Sequence, residues 1–119
     1  MESQVGIRIE ITEPTFRNWP RIPLRREHRP RFPGYKLPFI LDADGESFVV
    51  HVTSRNGPAQ EGDPNAGKYI CVPLGHEDRG RLGDWYGRHP ELQVGDTLVF
   101  EVVEPLGPMK RYKLSILDA

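Results

Sequence analysis

Residues 82–117 read LGDWYGRHPELQVGDTLVFEVVEPLGPMKRYKLSIL, and this stretch decides the fold. Leu82, Trp85, Tyr86 and His89 recur at offsets of three and four, which puts them on one apolar helical face. Pro90 stops that helix, because the residue before a proline is driven out of the α region. Gly95-Asp96 marks a turn. Residues 97–104 (TLVFEVVE) are rich in β-branched and aromatic side chains and predict a strand. Residues 110–117 alternate polar with apolar, so Tyr112, Leu114 and Ile116 share one face of a half-buried second strand. Residues 105–109 join the two, most simply as a hairpin.

The order of an aromatic helix, a leucine, Gly-Asp, a V-F-E strand and a closing strand resembles the B3-like DNA-binding pseudobarrel. That is the fold of plant B3 transcription-factor domains and of bacterial restriction-endonuclease effector domains. In it a Trp-bearing helix leads through L-x-x-G-D into a V-x-F strand; the corresponding residues here are Trp85, Leu92, Gly95, Asp96, Val99 and Phe100, the last two adjacent and not separated by a residue. The resemblance implies a mainly β chain: one small pseudobarrel domain over residues 1–119, with six or seven strands and one or two short helices.

Length and composition set the bounds. At 119 residues the chain suits one modest core, burying roughly two-thirds of its unfolded surface. Apolar residues make up 37% and charged ones 28%, with a net charge of −1, which argues against a protein that coats nucleic acid indiscriminately. No apolar run approaches the roughly 20 residues of a membrane span. The acidic, polar start, Met1-Glu2-Ser3-Gln4, has no signal-peptide character. A lone cysteine, Cys71, forms no internal disulfide, so a reducing, cytoplasmic setting is expected. Charge is unevenly spread: residues 15–36 hold Arg17, Arg21, Arg25, Arg26, Arg29, Arg31 and Lys36 against the single acid Glu27. Such asymmetry suggests a face for a polyanion. The alternative is that these arginines solubilise an irregular, proline-rich stretch.

From the N-terminus, residues 5–13 (VGIRIEITE) alternate strictly and predict a strand with Val5, Ile7, Ile9 and Ile11 inward. Five prolines between residues 16 and 38 forbid a long helix or a central strand there. A short extended piece is expected around residues 21–24, and Phe32-Pro33-Gly34-Tyr35 is expected as a turn packed by its aromatics. Residues 36–41 and 46–53 predict a hairpin about Asp42-Ala43-Asp44-Gly45, where carboxylates bond nearby backbone and the glycine takes positive φ. Residues 54–67 form a long loop, a kind that is often functional, and residues 68–73 a further strand. So few strands leave edges and faces wet unless the sheet closes on itself, which also favours a barrel or pseudobarrel.

Chemistry-bearing patterns are few. Residues 62–68 fit G-x-x-x-x-G-K, but Tyr69 stands where a metal-binding hydroxyl belongs and a strand follows instead of a helix, so the amides that hold phosphate are missing. The 42–45 turn imitates the start of a calcium loop but lacks the spacing. His28, His51, His76 and His89 are scattered, and Cys71 has no second thiol at ligand spacing. Inside an apolar strand Cys71 is a small buried hydrophobe. No catalytic residue set, cofactor or metal site is expected, and no enzyme.

B3-like domains grip the DNA major groove with two arms, one after the first strand and one between two middle strands. Carried over by position, the resemblance implies a first arm with Arg17, Asn18, Arg21, Arg25 and Arg26, and a second with Ser54, Arg55, Asn56 and Lys68. These residue types match what duplex recognition needs. Arginine bonds guanine O6 and N7, asparagine does the same to adenine, and serine and lysine hold phosphates. The expected function is non-catalytic, sequence- or structure-specific binding of double-stranded DNA. Two alternatives stay open: a β-barrel that binds RNA or a single strand, and a protein-interaction module docking through the proline-rich stretch. Trp19, flanked by Arg17 and Arg21, is either a stacking platform for an unpaired base or a cap on the barrel end. Glu61 and Asp63 in the second arm oppose a phosphate.

Overall fold

A computed structural model describes residues 6–14, 18–54, 60–63, 66–73, 75–104 and 109–117. Among these, seven strands form one curled half-barrel sheet with two short helices: β1 (Ile7–Glu10), β2 (Ile22–Pro23), a 3₁₀ helix (Arg26–Arg31), β3 (Phe39–Ala43), β4 (Glu46–Thr53), β5 (Tyr69–Cys71), α1 (Arg81–Gly87), β6 (Thr97–Glu104) and β7 (Arg111–Ile116). The mainly β expectation is met. Strand order across the sheet is β1-β6-β7-β3-β4-β5-β2. Every pairing is antiparallel except β3 with β7, where Leu41 lies beside Tyr112.

Period-two alternation decides which side chains face inward. On β1, Ile7 and Ile9 are buried while Arg8 and Glu10 are exposed. Phe39 and Leu41 of β3, Phe48, Val50 and Val52 of β4, and Tyr112 and Leu114 of β7 line the same core. Each such side chain contributes about 1.5–3 kcal/mol when fully removed from water. Leu82, Trp85 and Tyr86 close the core from α1, each 1% exposed. The Tyr86 hydroxyl donates to the Arg21 carbonyl at 2.8 Å, which ties the helix to the segment leading into β2. His89 stays at the rim, its ring 4.8 Å from that of Trp85.

The turns follow their chemistry. Asp44 and Gly45 both take positive φ, 53° and 82°, the geometry of a two-residue turn that matches strand twist. The carboxylates around that turn reach farther than local backbone: Asp42 accepts from Arg111 Nη1 at 2.6 Å, and Asp44 lies 2.7 Å from His89 Nε2. Gly95 adopts φ 101°, and its amide continues the β1–β6 ladder to the Ile11 carbonyl at 2.9 Å. Along β6 and β7 the register slips between Val102 and Glu104, a bulge that leaves Val103 half exposed. The residues between these two strands, 105–108, lie outside the described residues.

The proline-rich region holds one element that its composition conceals. Pro30 sits inside the 3₁₀ helix, where bonds of the i to i+3 kind from His28 to Arg25 and from Phe32 to Arg29 need nothing from the missing proline N–H. The Arg25 amide also donates to His28 Nδ1 at 3.1 Å, fixing the start of the helix. Its end is pinned by the Tyr112 hydroxyl, which donates to the Arg31 carbonyl at 3.0 Å. Beyond it, Phe32 and Tyr35 are buried as the turn reading expected, and Phe32 packs on Phe39, Phe100 and Tyr112.

Candidate nucleic-acid interface

The two segments assigned to separate arms run side by side. Pro23 of β2 stands opposite Tyr69 of β5, and the Leu24 amide donates to the Lys68 carbonyl at 2.8 Å. Lys68 in turn donates from its own amide to the Thr53 carbonyl at 2.8 Å, so the whole strip hangs on β4. The result is a cleft of about 380 Å³ whose wall includes Thr12, Glu13, Arg26, Arg29, Lys68 and Tyr69. Arg26 comes from the first predicted arm and Lys68 from the second; both side chains are exposed. Arg25, one residue earlier, lines a neighbouring cleft of about 260 Å³ with Arg8, Glu10, Glu27 and His28. The start of the 3₁₀ helix therefore presents one arginine to each of two adjoining depressions.

Arg21 behaves differently from its assignment as a groove-reading side chain. It is 5% exposed, and its guanidinium is bound to Glu13, with Nη2 2.5 Å and Nε 3.0 Å from the same carboxylate oxygen. Nη1 donates to the Trp19 carbonyl at 2.9 Å, and the Trp19 and Tyr69 rings flank the group at 5.1 and 5.2 Å. A guanidinium so enclosed serves the fold and not a base edge. Trp19 itself meets Tyr69 edge to face at 5.4 Å and is half-buried, the packing expected of a cap. Ser54 is half-buried with its hydroxyl 3.4 Å from that of Tyr35. Asn18 is exposed on the turn before Trp19. Arg17, Arg55 and Asn56 lie outside the described residues.

The second arm is held against the turn at residues 34–36. The Gly62 amide donates to the Tyr35 carbonyl at 2.8 Å, and the Tyr35 amide to that of Asp63 at 3.0 Å. Gly34 has no side chain to obstruct this approach: a Cβ there would stand 2.3 Å from the Gly62 oxygen. Of the opposing acids, Glu61 is exposed and Asp63 is half-buried near Arg29, whose charge it supports.

Nothing singled out Arg29 in the sequence, one arginine among five between residues 21 and 31. It is 2% exposed, and Nε donates to the Ala66 carbonyl at 2.5 Å. Its Nη1 and Nη2 are buried without a hydrogen-bond partner among the described residues. Burial disfavours its charge while Asp63 favours it.

Burial pushes the Cys71 thiol up to about 11 and the Tyr112 hydroxyl up to about 12. Among the described residues, no three His, Cys, Asp or Glu side chains gather as metal ligands, and no helix is long and apolar enough to cross a membrane. No protein-family profile matches the chain, and no curated protein sequence does.

Proposed function

We propose that the protein binds double-stranded DNA, without chemistry of its own, through the basic strip where the 3₁₀ helix meets the approach to β5. The observation that carries this reading is the juxtaposition of Arg26 and Lys68 across one cleft, with Arg25 beside it on the adjoining one. All three are exposed, and their cationic ends are suited to phosphate oxygens at successive points along a backbone. The resemblance of residues 85–100 to B3-like domains supplies the duplex as ligand. In this reading Arg21 is a girder that holds the strip in place, and Arg25, Arg26 and Lys68 are the contacts. A cytoplasmic setting accords with the single unpaired thiol.

Competition tests it directly. A labelled duplex of about 20 base pairs bound by the protein is challenged with unlabelled duplex DNA, single-stranded DNA and double-stranded RNA of matched length. Duplex DNA is expected to compete at least tenfold better than the others. Preference for the single strand or for RNA would transfer the strip to a different nucleic acid, and no binding of any of them would end the nucleic-acid reading.

A further inference from the structure

Arg29 poses a problem that its own fold leaves unsolved. A guanidinium presents five donors, and burying donors without acceptors is costly. Here Nε is used, on the Ala66 carbonyl, while Nη1 and Nη2 have no hydrogen-bond partner among the described residues. Arg29 nevertheless forms part of the wall of the same cleft that Arg26 and Lys68 line. Neither of those two cations has an ion-pair partner among the described residues, and the one acid that those residues contribute to the cleft wall, Glu13, is already bound to Arg21. Asp63, which supports the Arg29 charge, is not part of that wall. Among the described residues the wall thus holds three cationic side chains and no acid to spare for them. Thr12 adds a hydroxyl there.

We infer that this cleft is a binding site for a tetrahedral phosphate oxyanion, with the Arg29 fork as its deep donor and Arg26 and Lys68 closing over it. Two parallel N–H donors of a guanidinium match two phosphate oxygens, a geometry a lysine does not reproduce. Turning the fork toward the cleft exchanges a single bond to Ala66 for a charge-assisted pair. The inference deepens the duplex reading and rests on it for one source of the phosphate, the DNA backbone; a free phosphoryl compound is the other source.

Thermal unfolding of the full chain in sodium phosphate, against sodium chloride at equal pH and ionic strength, reads the site without any nucleic acid. Phosphate at about ten times its dissociation constant is expected to raise the midpoint by about 5 °C. Arg29→Lys should weaken phosphate at least tenfold. Because that buried position risks the fold, Arg26→Ala with Lys68→Ala is the companion variant: both side chains are exposed, and the pair should abolish most of the phosphate shift while leaving the midpoint in chloride in place. No phosphate shift in the wild type, or an equal shift in the double variant, overturns the site. Duplex binding without a phosphate shift overturns the site alone and leaves the duplex reading intact. A phosphate shift without duplex binding upholds the site and assigns it to a free phosphoryl compound.

Discussion

Arg21 and Glu13 form an ion pair that ties the end of the first strand segment to β2, with 6% of the arginine side chain and 34% of the glutamate exposed. The guanidinium also lies against the Trp19 and Tyr69 rings, which touch each other edge to face, so its charge has little water to fall back on. Removing one member of such a pair leaves the other uncompensated, which typically costs about 3–5 kcal/mol in a dry site. Because Glu13 lies partly in solvent, Glu13→Gln is expected to cost about 2–3 kcal/mol. Urea unfolding should show the midpoint fall with an unchanged slope. A loss below about 0.5 kcal/mol would mean that solvent already screens the pair.

Two glycines respond in opposite directions to the same change. Gly34→Ala drives a methyl group onto the Gly62 backbone, 2.3 Å from its oxygen and 2.6 Å from its carbon. Overpacking against backbone is expected to cost about 1–3 kcal/mol and to loosen the second arm. Gly87, the last residue of α1, has open space around its would-be Cβ. Gly87→Ala is expected to stabilise by about 0.5–1 kcal/mol through helix propensity. Calorimetric midpoints of both variants check the pair of signs.

Burial depresses the proton affinity of His28 and His51; for His51 the nearby charge of Lys36 adds to the effect, and for His28 Glu27 partly opposes it. His28 Nδ1 also accepts from the Arg25 amide, which requires that nitrogen to be unprotonated. The folded state therefore binds fewer protons than the unfolded chain once the pH drops below about 6.5, the ordinary histidine value. Stability should be level above that pH and decline beneath it. His51→Gln is expected to flatten part of the decline in denaturation midpoints measured from about pH 7.5 to 5. An unaltered pH profile would contradict the assignment.

Cys71 is 3% exposed and its thiol is pushed up to about 11, so at neutral pH about one molecule in ten thousand carries a thiolate. Ellman's reagent should label it only as fast as the chain opens, and labelling should accelerate with urea. Immediate, stoichiometric labelling of the folded protein would show a reachable, activated thiol instead.

Most of the sheet was legible because side-chain alternation and β-branched runs have local causes. The β1, β3–β4 and β6–β7 segments all follow from them, and Asp44-Gly45 fixed the turn between β3 and β4. The 3₁₀ helix escaped, since a proline that excludes an α-helix does not exclude i to i+3 bonding around Pro30. The inward turn of Arg21 escaped for another reason: a charged side chain is expected outside, and its partner Glu13 lies eight residues away with no periodic relation to it. Nor does any local pattern announce that Leu24 will pair with Lys68, which is what merges the two arms into one strip. Arg29 was indistinguishable from its neighbours until its burial was known.

The most direct test of the basic strip as a DNA-binding surface is fluorescence anisotropy with a randomised duplex, titrated from low to physiological salt. The wild-type protein is expected to bind with an affinity that falls steeply as salt rises, each phosphate contact adding about 0.9 to the log–log slope. Arg25→Ala, Arg26→Ala and Lys68→Ala together should reduce that slope by about 2–3 and weaken low-salt binding at least tenfold. No binding at low salt, or a triple variant with the wild-type slope, would contradict it.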